Sequence, residues 1–192
     1  QAPCAIEADV CVNRCPDGQI CDRTCTACIA LPEPDCREND DCEAGQVCQD
    51  NLCFEAPGTC VAPREVGPLP FVARTTTVNG LAQHAGGCGG GGNEQIYRVV
   101  VPIDPNAILD QMRLCVDTSG SAIDTVLHVR SICGFPGTEI ACHDDFDGQN
   151  RQARLDFVGR RGDPYFVFVD TFNASGDVIL EISAGACAED NP

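Results

Sequence analysis

The chain contains no lysine and no tryptophan, one methionine and only two tyrosines. Without lysine there is neither a Schiff-base nucleophile nor a phosphate-loop ammonium, which excludes both chemistries. Scarce aromatic faces argue against a sugar-stacking platform. Positive charge is scarce too: 12 basic residues, all arginine, stand against 29 acidic ones, a formal net charge of −17. Such a surface repels phosphate, so no nucleic-acid partner is expected. No apolar run approaches the ~18–20 residues of a spanning helix, so no membrane span is expected. Three histidines are present, without a G-x-S-x-G elbow or an H-E-x-x-H pair. The expectation is a protein that is not an enzyme.

What is abundant is cysteine, 16 in 192 residues. So many thiols in an acidic chain point to an oxidising compartment, so an extracellular, secreted or cell-surface location is expected. Gln1-Ala2-Pro3 reads as a mature N-terminus left by signal cleavage. Eleven cysteines fall within residues 1–63: Cys4, Cys11, Cys15, Cys21, Cys25, Cys28, Cys36, Cys42, Cys48, Cys53 and Cys60. That stretch has too few aliphatic residues for a core, and cross-links must replace one. It reads as a small disulfide-rich domain, 1–63, ahead of a second domain, 64–192. Cys25 and Cys28 have C-x-x-C spacing, but in so dense a framework a structural role is expected over zinc or redox chemistry.

Beyond residue 63 the apolar period becomes two. Strands are expected at 71–78, 95–103, 110–117, 124–132, 138–142, 152–158, 164–171 and 177–184. Eight short strands without an amphipathic helix imply an all-β, jelly-roll-like antiparallel β-sandwich. In strand 164–171, Tyr165, Val167 and Val169 take one face, and Phe166 and Phe168 the other. An apolar outer face needs a cover: the Cys-rich segment, a loop, another subunit, or the rest of its own domain. In strand 110–117, Cys115 falls opposite Met112, Leu114 and Val116, so it is expected to point away from the core.

Two resemblances add to this reading. The segments Cys15–Cys25 and Cys42–Cys53 share C-x5-C-x3/4-C with Gly-Gln-Ile/Val before the middle cysteine. They resemble short Cys-rich repeats of secreted myxobacterial proteins, distantly like EGF or Dickkopf knots. That resemblance implies bridges Cys36–Cys48 and Cys42–Cys53, with Cys11–Cys21 and Cys15–Cys25 by analogy; Cys4 and Cys28 complete the set without an implied partner. The runs Asp117–Cys133, with T-S-G-S-A-I-D-T-V-L-H-V-R inside, Glu139–Asp145 and Pro164–Asp170 resemble the bacterial pre-peptidase C-terminal (PPC-type) domain over residues 86–185. It implies a sandwich attached to secreted proteins, an accessory domain rather than a catalyst.

Cys133 and Cys142 flank a short hairpin and are expected to pair. Cys88, Cys115 and Cys187 then remain against 11 cysteines in the first domain. Both remainders are odd, so a bridge must join the two segments, or neighbouring molecules. Cys88–Cys187 and Cys60–Cys115 are the expected assignments; a free or differently paired Cys115 is the alternative.

The strongest ligand-like cluster is Asp144, Asp145 and Asp147 in one loop, near the Asp124 turn in the family alignment. Carboxylates are hard donors suited to Ca²⁺, although the same residues also cap turns. The functional expectation is a non-enzymatic structural protein that self-associates as a homopolymer in an extracellular filament or surface assembly. The alternative is an accessory binding or adhesion module for an extracellular polymer.

Overall fold

The computed structural model describes residues 4–7, 10–13, 15, 19–21, 27–30, 36–38, 41–43, 46–49, 52–78, 80–145, 151–172 and 174–188, with backbone alone for 4–7, 10–13, 19–21, 29–30, 49 and 55. The chain divides into two compact units, residues 1–43 with 47–54, and residues 44–46 with 55–192.

The first unit holds two-stranded ribbons. β1 (Cys4–Glu7) pairs with β2 (Val10–Asn13), β3 (Gln19–Cys21) with β4 (Cys28–Ala30), and β5 (Gln46–Gln49) with β6 (Leu52–Glu55). Two-stranded ribbons bury too little to hold alone. Cys15–Cys28, Cys36–Cys48 and Cys42–Cys53 tie this segment together. The bridge from Cys15 corrects the expected Cys15–Cys25. The connection between β3 and β4 is six residues, 22–27, against two between β5 and β6. The longer loop places Cys28, not Cys25, at the position that Cys53 holds in the second repeat. The side chains of Cys4, Cys11, Cys21 and Cys25 lie outside the described residues, and the Cys11–Cys21 expectation with them.

The second unit is a two-layer antiparallel β-sandwich. Its strands are β7 (Arg64–Glu65), β8 (Phe71–Thr76), β9 (Gln95–Val100), β10 (Gln111–Asp117), β11 (Thr125–Arg130), β12 (Glu139–His143), β13 (Arg154–Arg160), β14 (Pro164–Thr171) and β15 (Asp177–Ala184). One sheet has the order β13-β10-β15-β8 and the other β12-β11-β14-β9-β7. All pairings are antiparallel except β7 with β9. The expected strands are thus present, with two-residue β7 in addition. Alternate residues of each strand meet between the sheets: Tyr97 and Val99, Leu114 and Val116, Leu127 and Val129, Leu155 and Phe157, Val167 and Val169, Leu180 and Ile182.

The centre of the outer face of the five-stranded sheet is buried as well, while Val100 and Ile140 toward its margins are exposed. Every residue of β11 is buried, and Ile96, Cys133 and Phe168 form a second cluster with Cys60 and Phe166. Residues 56–62 and 80–91, from the same unit, supply the cover. Ile96 N–H donates to Gly58 O (2.9 Å), and the His84 ring meets Phe168 edge-on at 5.3 Å. The apolar face of β14 is therefore covered within its own unit, with Phe166 partly buried.

The bridges of this unit correct three expectations. Cys60 pairs with Cys133, Cys88 with Cys142, and Cys115 with Cys187. Cys133 and Cys142 do not pair, because Cys133 sits in the hairpin loop while Cys142 stands opposite His128, up the strand. Cys142 lies three positions along the strand from Glu139 at the loop, about 10 Å, beyond the reach of a disulfide. Cys115 does point away from the core, as its parity requires, onto the outer face of the four-stranded sheet. Cys60 and Cys88 lie over the other sheet. Cys60–Cys115 and Cys88–Cys187 would have to cross the sandwich, whose layers are spaced about 10 Å apart. One bridge, Cys60–Cys133, links residues 1–63 to 64–192, and through it residues 55–63 belong to the sandwich unit.

Candidate calcium site and a buried polar layer

The loop between β10 and β11 is set by hydroxyls. Thr118 Oγ1 lies 2.7 Å from Thr125 Oγ1 and donates to Ala153 O (2.8 Å), and Ala153 N–H donates to Thr125 Oγ1 (3.0 Å). Ser121 Oγ accepts from Ile179 N–H (3.0 Å), a structural use of a serine that carries no chemistry. These bonds fix Asp124 just ahead of β11. β12 ends at His143 and presents Asp144 and Asp145 at the same end, because Leu127 stands opposite His143.

One oxygen from each of Asp124, Asp144 and Asp145 lies within 4.8 Å of the others. Oδ1 of Asp124 and Oδ1 of Asp144 are buried without a hydrogen-bond partner among the described residues. Arg151 Nη1 is 3.9 Å from Asp124 Oδ2, too far for a charge-assisted hydrogen bond. Burial, then the charge of Asp145, pushes the Asp124 carboxyl above its usual range, against Arg151. Asp144 is raised by burial and then by Asp145 and Asp124. Three like charges this close favour protonation or a cation, and a donor set of only carboxylate oxygens suits Ca²⁺. The structure thus brings three of the four expected residues together; Asp147 lies outside the described residues.

Sequence reasoning missed a second cluster, beneath the Gly-rich segment 86–92. Arg130 is fully buried, its guanidinium 4.6 Å from the Phe168 ring centre. It donates to Ala85 O (2.8 Å) and Cys133 O (3.3 Å). His128 stacks on the same ring at 4.2 Å, and neither of its nitrogens has a partner among the described residues. Burial, then Arg130, pulls the His128 imidazole down to about 3. Glu94 is raised to about 8, first by burial and then by Asp170. Burial raises Asp170 to about 6, against the backbone N–H donors of Gly91, Thr171 and Gly92. His84 Nδ1 lies 2.6 Å from Glu94 Oε1, and burial lowers His84 as well. On the other side of the ring, His84 Nε2 lies 3.7 Å from Cys60 Sγ. This layer holds the cover in place. Its signal was in the sequence: His128 and Arg130, and Phe168 and Asp170, share the outer face by period two. Their burial was not legible, because the cover comes from elsewhere in the chain.

The glycines of that segment let the backbone press against carboxylates. Gly87 N–H donates to Glu139 (3.0 Å), and Gly91 N–H to Asp170 Oδ2 (2.7 Å). Gly90, at φ 88°, leaves no room for a Cβ beside Asp170.

No family model matches this sequence. No curated protein matches it either. Among solved structures, the chain is similar to the pre-peptidase C-terminal domain of a collagenase from Bacillus anthracis, with 13% identity over 63% of this chain and 94% of that chain, and a TM-score of 0.38. A likeness of that degree carries no argument about function.

Proposed function

We propose that this chain is a secreted, non-enzymatic structural protein that associates with copies of itself in an extracellular filament or surface assembly, with Ca²⁺ held by Asp124, Asp144 and Asp145. The observation that carries the reading is an apolar tip. Ile103, Ile108 and Leu109 are 77%, 99% and 72% exposed on the loop between β9 and β10. That loop is braced rather than slack: Arg161 donates to Pro102 O (2.8 Å) and Leu109 O (3.2 Å). Large aliphatic side chains held in water on a fixed loop mark an interaction surface. The disulfides support an oxidising location. No helix among the described residues is long and apolar enough to cross a membrane.

Sedimentation velocity across a concentration series, with and without calcium and salt, tests the association. Species larger than a monomer are expected. Monomers alone at the highest concentration, with both present, end the reading. Titration calorimetry tests the cation: heat on adding Ca²⁺, abolished in Asp124→Asn, is expected, and no heat with an unchanged melting temperature rejects the site.

A second reading, an accessory module that holds an extracellular polymer, draws on the PPC-type motifs and on the carboxylate cluster. Ca²⁺ takes six to eight oxygens, so an ion held by three carboxylates keeps positions for a ligand's oxygens. Calcium-dependent retention on polysaccharide or collagen-like fibres supports this reading over the first.

A further inference from the structure

Among the described residues, Cys88 is the one exposed cysteine. Its bridge to Cys142 differs in this from the other two of the sandwich. In each of those one partner, Cys133 or Cys115, is only 6% exposed, and the second, Cys60 or Cys187, is partly buried. Behind the Cys88–Cys142 bridge lies an unsatisfied donor. Cys142 stands opposite His128 across the β11–β12 pair. A Cβ on Gly86 would stand 2.6 Å from Cys142 Sγ and 2.9 Å from His128 Nδ1, so sulfur and ring border the same small gap. His128 is fully buried, and its nitrogens have no partner among the described residues. A neutral imidazole always carries one N–H, and an unpaired donor in the interior is costly. A disulfide sulfur accepts weakly, whereas a thiolate accepts strongly. The closed bridge thus leaves His128 unsatisfied, and a thiolate at Cys142 would satisfy it. The Cys88 N–H already donates to the same Cys142 Sγ (3.0 Å).

We infer that Cys88 is a thiol-exchange site that takes a small cationic thiol as a mixed disulfide. The thiolate of the incoming molecule attacks the exposed Cys88 Sγ. A sulfur–sulfur bond forms there as the Cys88–Cys142 bond breaks, and the bonding pair leaves on Cys142 Sγ. That thiolate accepts the hydrogen bond that His128 has to give. One disulfide is consumed and one is made, so the incoming thiol is the only co-reactant. Gly87 and Gly89, on either side, bring no side chain of their own over the sulfur. Charge selects the cation: Gly87 N–H holds the Glu139 carboxylate (3.0 Å) next to Cys88, and the chain carries a formal −17. A positively charged thiol is drawn to such a site and a negatively charged one is repelled.

The folded full chain, incubated with cysteamine, quenched by alkylation and peptide-mapped, tests the site without any variant. A cysteamine adduct on Cys88 with an alkylated Cys142 is expected before any adduct on the Cys60–Cys133 or Cys115–Cys187 bridge. An adduct that maps first to either of those bridges or to Cys142, or that forms no faster than the chain unfolds, overturns the proposal. Cysteamine and 3-mercaptopropionate are then compared at low salt, each rate divided by that of the same thiol with an uncharged model disulfide. Cysteamine is expected to be about fivefold faster or more, with the ratio shrinking at high salt and in Glu139→Gln. Equal normalised rates reject the choice of a cation. His128→Phe, whose ring can stack on Phe168 in place of the imidazole, is expected to lower the adduct level at a given cysteamine concentration about tenfold. An unchanged level in that variant, folded by near-UV circular dichroism, overturns the role given to His128.

Discussion

Glu94 carries a buried carboxyl that makes stability depend on pH. Its carboxyl is buried beside His84, Asp170 and Arg130 and is raised to about 8 from 4.5. Between those values the unfolded chain has lost this proton while the folded chain keeps it, so stability falls as pH rises. Asp170 acts in the same sense, but only up to about 6. His128, lowered from 6.5 to about 3, acts oppositely: its contribution is complete above 6.5 and is lost as pH falls. Between pH 6.5 and 8, Glu94 alone among these three still changes stability. Urea unfolding across that window is expected to show a decline of at most about 1.4 kcal/mol per pH unit. Glu94→Gln is expected to flatten it. An equal slope in the variant would show that the proton belongs elsewhere.

At the scale of elements, the cover segment is the feature most sensitive to a single change. Gly90 combines φ 88° with backbone packed on Asp170, whereas Gly134 has no atom within 4 Å of where a Cβ would stand. Gly90→Ala is expected to cost about 2 kcal/mol or more, since both strain and displacement of a buried carboxylate contribute. Gly134→Ala is expected to stay within about 0.5 kcal/mol. Denaturant midpoints of the pair measure the difference; equal midpoints would mean that segment 86–92 gives way freely. The same segment shows why the Gly-rich run was legible only in part. Its composition says that the backbone must turn sharply or approach something closely, and Asp170 and Glu139, far along the chain, are what it approaches.

For the molecule as a whole, disulfides do two kinds of mechanical work. In the first unit they tie short ribbons together in place of a core. In the sandwich they fasten covers to an existing core: Cys60–Cys133 spans 73 residues of sequence and pins residues 56–62 over Phe166 and Phe168. Closing a loop of that length stabilises by roughly 4 kcal/mol in the chain-entropy account. Cys60→Ala with Cys133→Ala is expected to lose that much in thermal or chemical unfolding. It should also expose the outer face of the five-stranded sheet to a hydrophobic dye. Unchanged dye binding would mean that residues 80–91 suffice as a cover.

Local pattern determined much of this protein from sequence alone. Alternation of Val, Ile, Leu and Phe set the strands of the sandwich, because a side chain's face on a strand depends only on its position along that strand. It also placed Cys115 on an outer face, and odd cysteine counts called for a bridge from residues 1–63 into the rest or into a neighbouring molecule. Which sulfur meets which was decided by the tertiary structure. A disulfide needs two Cα atoms within about 7 Å, and nothing in the spacing says that Cys60 and Cys88 lie over one sheet while Cys115 and Cys187 lie over the other. For the same reason the sequence offered Asp124, Asp144 and Asp145 as candidates but could not collect their oxygens within 4.8 Å. Pairing β11 with β12 did that, through contacts between residues distant in the chain.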